Sequence, residues 1–176
     1  MNRLKHLIQN YYLAISSLWF SFLLFLPDEF SKFRVRYYKK QGCKIHKQAS
    51  ISPNVRIKGK FEMREGSSIA QNCTISGENA GVFIGKNVMI APNVVIVAFN
   101  HGYDNLELPM VVQKNSEEPV IIEDNVWIAS NCTIGKGVTI GHSSIIGANS
   151  FVNKDVPPYS IMGGVPAKLI KSRTSK

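Results

Sequence analysis

Cysteine is scarce in this 176-residue chain. Cys43, Cys73 and Cys132 are the only three, an odd number with no C-x-x-C pair among them. A disulfide framework and a cysteine-built metal site are thereby excluded, and a reducing, cytoplasmic setting fits. Acidic residues are almost missing from the first 60 positions, where Asp28 and Glu29 face twelve Lys and Arg for a net +10. The remaining 116 residues carry nine Lys and Arg against ten Asp and Glu, so the basicity belongs to the N-terminal segment alone. No uncharged apolar run reaches the roughly 20 residues that span a bilayer. The longest, Tyr11 to Leu26, has sixteen. Arg3 and Lys5 precede it, but no small-residue cleavage site follows, which argues against a signal peptide. Histidine is rare too, at four.

What is present is a period of six. Ile122, Ile128, Ile134, Ile140, Ile146 and Val152 recur at that interval, and Val126, Cys132, Val138, Ser144 and Ser150 stand two places before the later five. Ile, Leu and Val make up 44 of 176 residues, so six aliphatics in six fixed slots are not an accident of composition. The period matches neither a helix at 3.6 nor a lone strand at 2; it is a repeat. Each unit supplies a short strand and a turn, and three units close one triangular coil. The aliphatic points inward, and the small residue fits the corner. Gly135, Gly137, Gly141, Gly147, Asn125, Asn131 and Asn149 occupy turn slots that favour left-handed backbone. One coil cannot bury its own interior, so coils are stable only when stacked.

The repeat begins at Ile45 and runs through Ile51, Ile57, Met63, Ile69 and Ile75. It slips by three residues across Ser76–Phe83, resumes at Ile84, Ile90 and Ile96, vanishes from 97 to 120, and restarts at Ile122. The expected architecture is all-β, with about five coils rising some 24 Å at the usual spacing of roughly 4.8 Å. Residues 1–44 form an apolar and basic helical segment, 45–157 the coil with its loop, and 158–176 a closing segment and tail. The long loop reads as functional. In Phe30–Lys40, aromatics alternate with cations, which suits a membrane headgroup layer better than nucleic acid and equally suits a solvated helix face.

The segments APNVVIVAFNH, VIIEDNVWIASN and VPPYSIMGGVPAK carry a resemblance. Residues 45–171 are similar to the hexapeptide-repeat acyltransferases, in the branch of galactoside, maltose and polysaccharide O-acetyltransferases. The resemblance implies a left-handed parallel β-helix, a homotrimer, and acetyl-CoA bound between neighbouring subunits, with no metal. It implies His101 as general base, a role an imidazole titrating near neutrality suits. Asp104, Glu107 or a backbone carbonyl are candidates to fix its tautomer. His6, His46 and His142 read as bystanders. It also implies the Ser130 amide as oxyanion donor and Trp127 as a site wall. For CoA it implies Ser130, Ala148, Asn153, Lys154, Gly163, Gly164, Lys168 and Lys171. The relatives often have Arg where Lys168 and Lys171 stand, so the charge is kept but bidentate binding is lost.

On the acceptor side the chain departs from the sugar-specific relatives. Their Asn and Asp matches fall near Ala70 and Glu78–Asn79, with Asn72 the nearest amide. Asn72, Glu78, Asn79, Tyr103 and Asp104 are the acceptor candidates. The acceptor implied is a sugar or lipid-linked glycan of capsule, O-antigen or exopolysaccharide, and residues 1–40 read as a peripheral contact with the inner membrane face, as a helix docked on the body of the trimer, or as a spanning or exported segment. An N-acetyltransferase uses the same base on an amine. Serine O-acetyltransferase needs a larger helical domain than 44 residues form. A γ-type carbonic anhydrase needs three histidines at defined rungs. A non-catalytic scaffold would not need the histidine loop, Trp127 and the Gly-Gly segment together.

Overall fold

The chain is described by a computed structural model covering residues 11, 15, 18–19 and 21–174. Arg3, Lys5, His6, Leu7–Asn10 and part of the apolar run lie outside the described residues.

The repeat folds as the left-handed parallel β-helix expected from it. Two- and three-residue strands stack in register on three faces. Ile45, Met63, Ile84, Ile122, Ile140 and Val156 climb the first face. Ile51, Ile69, Ile90, Ile128, Ile146 and Met162 climb the second, and Ile57, Ile75, Ile96, Ile134 and Val152 the third. The stack therefore has six levels on two faces and five on the third, one level more than the sequence suggested. The reason is the segment after Val152. Val156 follows Val152 at four residues instead of six, so Val156 and Met162 fall out of phase yet still occupy inward positions, and the coil continues beyond residue 157.

The small slots are buried as the triangular corner demands: Val126, Cys132, Val138, Ser144 and Ser150 are each at most 2% exposed. The serines among them stay satisfied by bridging corner backbone. Ser150 Oγ donates to the Gly147 carbonyl at 2.6 Å and accepts the Gly164 N–H at 3.2 Å. Among the described residues no buried side-chain nitrogen or oxygen lacks a partner. All three cysteines are free and buried.

Asparagine builds one corner. Asn54, Asn72, Asn93, Asn131 and Asn149 all sit between the second and third faces with φ from 55 to 63°, a conformation their short amides tolerate. Their side chains bond along the stack, Asn54 to Asn72 at 2.8 Å and Asn93 to Asn131 at 3.0 Å.

The three-residue slip is absorbed at the corner between the third and first faces. There the pairing of Arg56–Met63 with Thr74–Ile84 shifts on either side of Gly59. Gly59 has φ of 78°, and a Cβ there would lie 2.3 Å from the Glu78 nitrogen. Only glycine fits.

Below the coil lies helix α1 (Ser31–Lys40), which buries Arg34, Val35 and Tyr38 against the first level and ends in two lysines that suit the negative helix terminus. The Tyr38 hydroxyl donates to the Val55 carbonyl at 2.6 Å and accepts the Ile57 N–H at 3.3 Å. Burial pushes its pKa well above the usual phenol value. The described residues between 11 and 25 are helical, and among the described residues no helix is long and apolar enough to cross a membrane.

Candidate active site

The interrupted repeat leaves the coil at the corner between the third and first faces. It departs as an antiparallel ribbon in which Phe99 pairs with Glu117 and Asn100 with Ser116. The same register carries His101 opposite Asn115, and their side chains meet, Nδ1 to Oδ1, at 3.0 Å. With Asn115 presenting its amide oxygen, which only accepts, Nδ1 is the donor, and in the neutral imidazole the lone pair then lies on Nε2. Phe99 fixes the ring from the other side, edge to face at 5.5 Å. The partner is therefore Asn115, in place of Asp104, Glu107 or a carbonyl. Gly102 lets the ribbon close: a Cβ there would stand 2.5 Å from the Lys114 carbonyl oxygen.

Glu117 ties the ribbon to the coil. Its carboxylate accepts the Asn79 N–H at 3.0 Å, the Asn79 side-chain amide at 3.1 Å and the Ala80 N–H at 3.3 Å. The slipped corner thus acts as a shelf for the histidine loop. Farther out, Gln113 bonds both Asn105 and Leu108 and shapes the loop tip. The tip exposes Leu106, Leu108, Met110, Val111 and Val112.

Neither Asn115 nor Glu117 was singled out from the sequence. A usable signal existed: if the loop leaves and returns as a ribbon, residues equidistant from Ala98 and Glu118 pair, and His101 then falls opposite Asn115.

The other predicted residues divide by corner. Ser130, Ala148 and Gly163–Gly164 stack in one column between the second and third faces. They are linked by Asn149 N–H to Ser130 carbonyl at 3.0 Å and Phe151 N–H to Gly164 carbonyl at 3.0 Å. Among the described residues nothing accepts a hydrogen bond from the Ser130 amide. Trp127 lies on the second face just before this column, pointing outward and 44% exposed, with Met89 and Ile145 as strand neighbours. Lys168 and Lys171 lie on the antiparallel strand Lys168–Ser172 that caps the second face. His101, Asn153 and Lys154 belong instead to the corner between the third and first faces, with the Asn153–Lys154 turn two levels beyond the histidine loop.

Within one chain, then, His101 and the Ser130 column stand at different corners of the triangle. A concavity of about 500 Å³ lined by Arg64, Phe83, Ile121, Glu123 and His142 includes none of the predicted site residues. His142 there is engaged by its own surroundings, its N–H donating to Glu123 at 2.7 Å and its ring against Tyr159. Among the described residues no cluster of His, Cys, Asp or Glu is arranged to hold a metal.

The acceptor candidates also separate. Asn72 is part of the asparagine corner, with its side-chain oxygen taken by Asn54. Glu78 pairs with Lys58 at 3.2 Å, and Asn79 holds Glu117. Tyr103 and Asp104 are exposed on the loop beside His101.

Comparison with known proteins places this geometry. Residues 119–154 match the family described as bacterial transferase hexapeptide (six repeats). The chain is 33% identical over 149 residues to the galactoside O-acetyltransferase of Escherichia coli, covering 82% of this chain and 70% of that one. A hexapeptide-repeat-containing acetyltransferase from Vibrio cholerae, solved in complex with acetyl-coenzyme A, superposes with a TM-score of 0.52 at 28% identity, covering 81% of this chain and 79% of the other. A maltose O-acetyltransferase from Clostridium difficile gives 0.52 at 29% identity, over 76% and 67%. With its repeat, its coil and a relative matched over more than two thirds of its length, the chain belongs to the bacterial hexapeptide-repeat transferases.

Proposed function

We propose that this protein transfers an acetyl group from acetyl-CoA to a hydroxyl of a sugar or polysaccharide building block, with His101 as general base. The observation that carries the reading is the His101–Asn115 pair on an extruded loop, which supports a neutral tautomer with its lone pair on Nε2. A sugar hydroxyl becomes an effective nucleophile as its proton is taken during attack, and Nε2 is the atom to take it. Attack on the thioester carbonyl gives a tetrahedral oxyanion, toward which the unengaged Ser130 amide donates. Collapse breaks the carbon–sulfur bond, and the imidazolium returns its proton to the leaving thiolate. No covalent enzyme intermediate forms.

Because His101 and the Ser130 column occupy different corners of one chain, the reading requires the loop corner of one copy to face the Ser130 corner of the next. Such a head-to-tail contact closes as a ring, and we assign a homotrimer. Trp127 walls the site. Ala148, Gly163, Gly164, Asn153 and Lys154 line the pantetheine and nucleotide groove, and Lys168 and Lys171 meet phosphate. Tyr103 and Asp104 are assigned to the acceptor in preference to Asn72, Glu78 and Asn79, whose polar groups are spent on the fold. The same reading places the enzyme in the cytoplasm, with residues 1–40 as a peripheral contact to the inner membrane face and a lipid-linked glycan as acceptor.

The test is acetyl-labelled CoA added with the protein to a cell extract that is then split into lipid and aqueous fractions. Label released by mild alkali supports O-acetylation, and its recovery in the lipid fraction identifies a lipid-linked acceptor. Alkali-stable label would replace the reading with N-acetylation. Absence of both transfer and CoA binding would leave a non-catalytic scaffold.

A further inference from the structure

Two features at the base of the coil take no part in acetyl transfer. One is an apolar stripe. Tyr11, Ile15, Leu18, Phe22 and Phe25 recur at steps of four and three, which sets them on one face of a helix. Together with Trp19 they are 58 to 72% exposed. Among the described residues of this segment Leu24 is the buried one, 3% exposed, and its carbonyl accepts the Asn54 N–H at 2.7 Å.

The other feature is a concavity of about 490 Å³ between α1 and the turn into the second strand, lined by Lys32, Val35, Arg36, Lys39, Lys40 and Lys47. All five cations are exposed, and among the described residues none is paired with a carboxylate. Five like charges around one hollow repel each other until an anion enters.

Arg34 joins the two. It is fully buried. Its Nε donates to the Ile51 carbonyl of the coil at 2.8 Å, and its other nitrogens donate to the carbonyls of Leu26 at 2.6 Å and Pro27 at 3.1 Å, where the apolar segment ends. Burial lowers its pKa, and Asp28 at 3.9 Å opposes that shift. The stripe, the cationic hollow and the first level of coil are thus held in one arrangement.

We propose that the hollow lined by Lys32, Arg36, Lys39, Lys40 and Lys47 binds phosphate headgroups of an anionic bilayer while the Leu18–Phe22–Phe25 stripe enters the same bilayer. This rests on the membrane contact of the functional reading and gives that contact its chemistry. Charge selects the occupant. A second copy docked stripe to stripe would bring two cationic hollows together. A nucleic acid would satisfy the cations and leave the stripe in water. An anionic bilayer meets both, with aromatic rings at the interface and cations at the headgroups. The Arg34 lock then turns the N-terminal end of the coil toward the lipid.

Co-sedimentation of the full chain with vesicles tests this, using phosphatidylcholine alone and an equal mixture of phosphatidylcholine and phosphatidylglycerol. Binding is expected to the mixed vesicles, to weaken with salt, and to fall by about a hundredfold or more in Lys32→Glu/Arg36→Glu/Lys39→Glu, since loss of each cation alone is worth about fivefold and each new carboxylate adds repulsion. Leu18→Ser/Phe22→Ser is expected to lose binding as well. Acetyl-CoA affinity, measured on the same preparations, is expected to stay native in both variants, which shows that they are folded and separates this test from that of the catalytic reading. Equal partition to both vesicle types, or full binding by the charge-reversed variant, would overturn the proposal. So would absence of vesicle binding by the native chain together with a smaller assembly for Leu18→Ser/Phe22→Ser, which would assign the stripe to a second copy.

Discussion

Replacing Asn115 with alanine removes the one side-chain acceptor that meets His101 and leaves the ribbon backbone in place. The contact is a single neutral hydrogen bond of 3.0 Å at an exposed position. Such bonds contribute about 1 kcal/mol net, equivalent to about fivefold in an equilibrium constant. That factor acts on the ratio of the two neutral tautomers, since only the form protonated at Nδ1 is held by Asn115. The productive fraction falls with the ratio, so turnover is expected to drop by about two- to fivefold, with acetyl-CoA affinity unchanged. Nitrogen-15 chemical shifts of the imidazole at a pH where it is neutral report the ratio directly, and His101→Gln assigns the signal among the four histidines. A tautomer ratio equal in native protein and Asn115→Ala would refute the reasoning. Unchanged turnover despite an altered ratio would separate the pair from catalysis.

Other perturbations follow from the same geometry. Gly102→Ala places a methyl group 2.5 Å from the Lys114 carbonyl oxygen. It should displace His101 and cost on the order of tenfold or more in turnover, while the melting temperature of the coil stays native; an active Gly102→Ala would show that the ribbon does not position the base. Tyr38→Phe tests the buried phenol. The folded pKa is raised above the unfolded one of about 10, so the stability it contributes is intact below pH 10 and lost as pH rises beyond it, by about 1.4 kcal/mol per unit. The stability gap between native protein and Tyr38→Phe, read from denaturant unfolding, should therefore narrow above pH 10, and a constant gap would contradict the assignment. Co-expression of His101→Ala with Ala148→Trp tests the shared site. In a ring where each site takes the loop of one copy and the corner of the next, random mixing restores about a quarter of native sites. No restored activity would place the whole site in one chain.

Much of the coil was legible because the hexapeptide pattern is both strict and physically obligatory. Ile128 and Val126 could not exchange roles without placing a large side chain in a corner, so their spacing declared the inward and corner positions. The sixth level was hidden because the spacing contracts to four between Val152 and Val156, which puts Val156 and Met162 out of phase with the residues before them. The residue types of the site were readable: His101 stood out by its loop, and Trp127 by alternating with inward neighbours. Partners were less so. Asn115 and Glu117 reach their contacts across 14 and 38 residues, separations no local pattern reports. Asn72 is ambiguous in sequence for a related reason, since an asparagine that closes a left-handed turn and one that grips a sugar look alike. Arg34, in an apparently solvated basic run, gave no sign that it alone would be buried.

His101, as the proposed general base, is the residue on which acetyl transfer by this coil would depend. Steady-state acetyl transfer by His101→Ala, with acetyl-CoA binding and assembly size measured on the same sample, tests it in one experiment. Native binding, native assembly and turnover reduced on the order of 10² or more are expected. Native turnover in that variant would contradict that role.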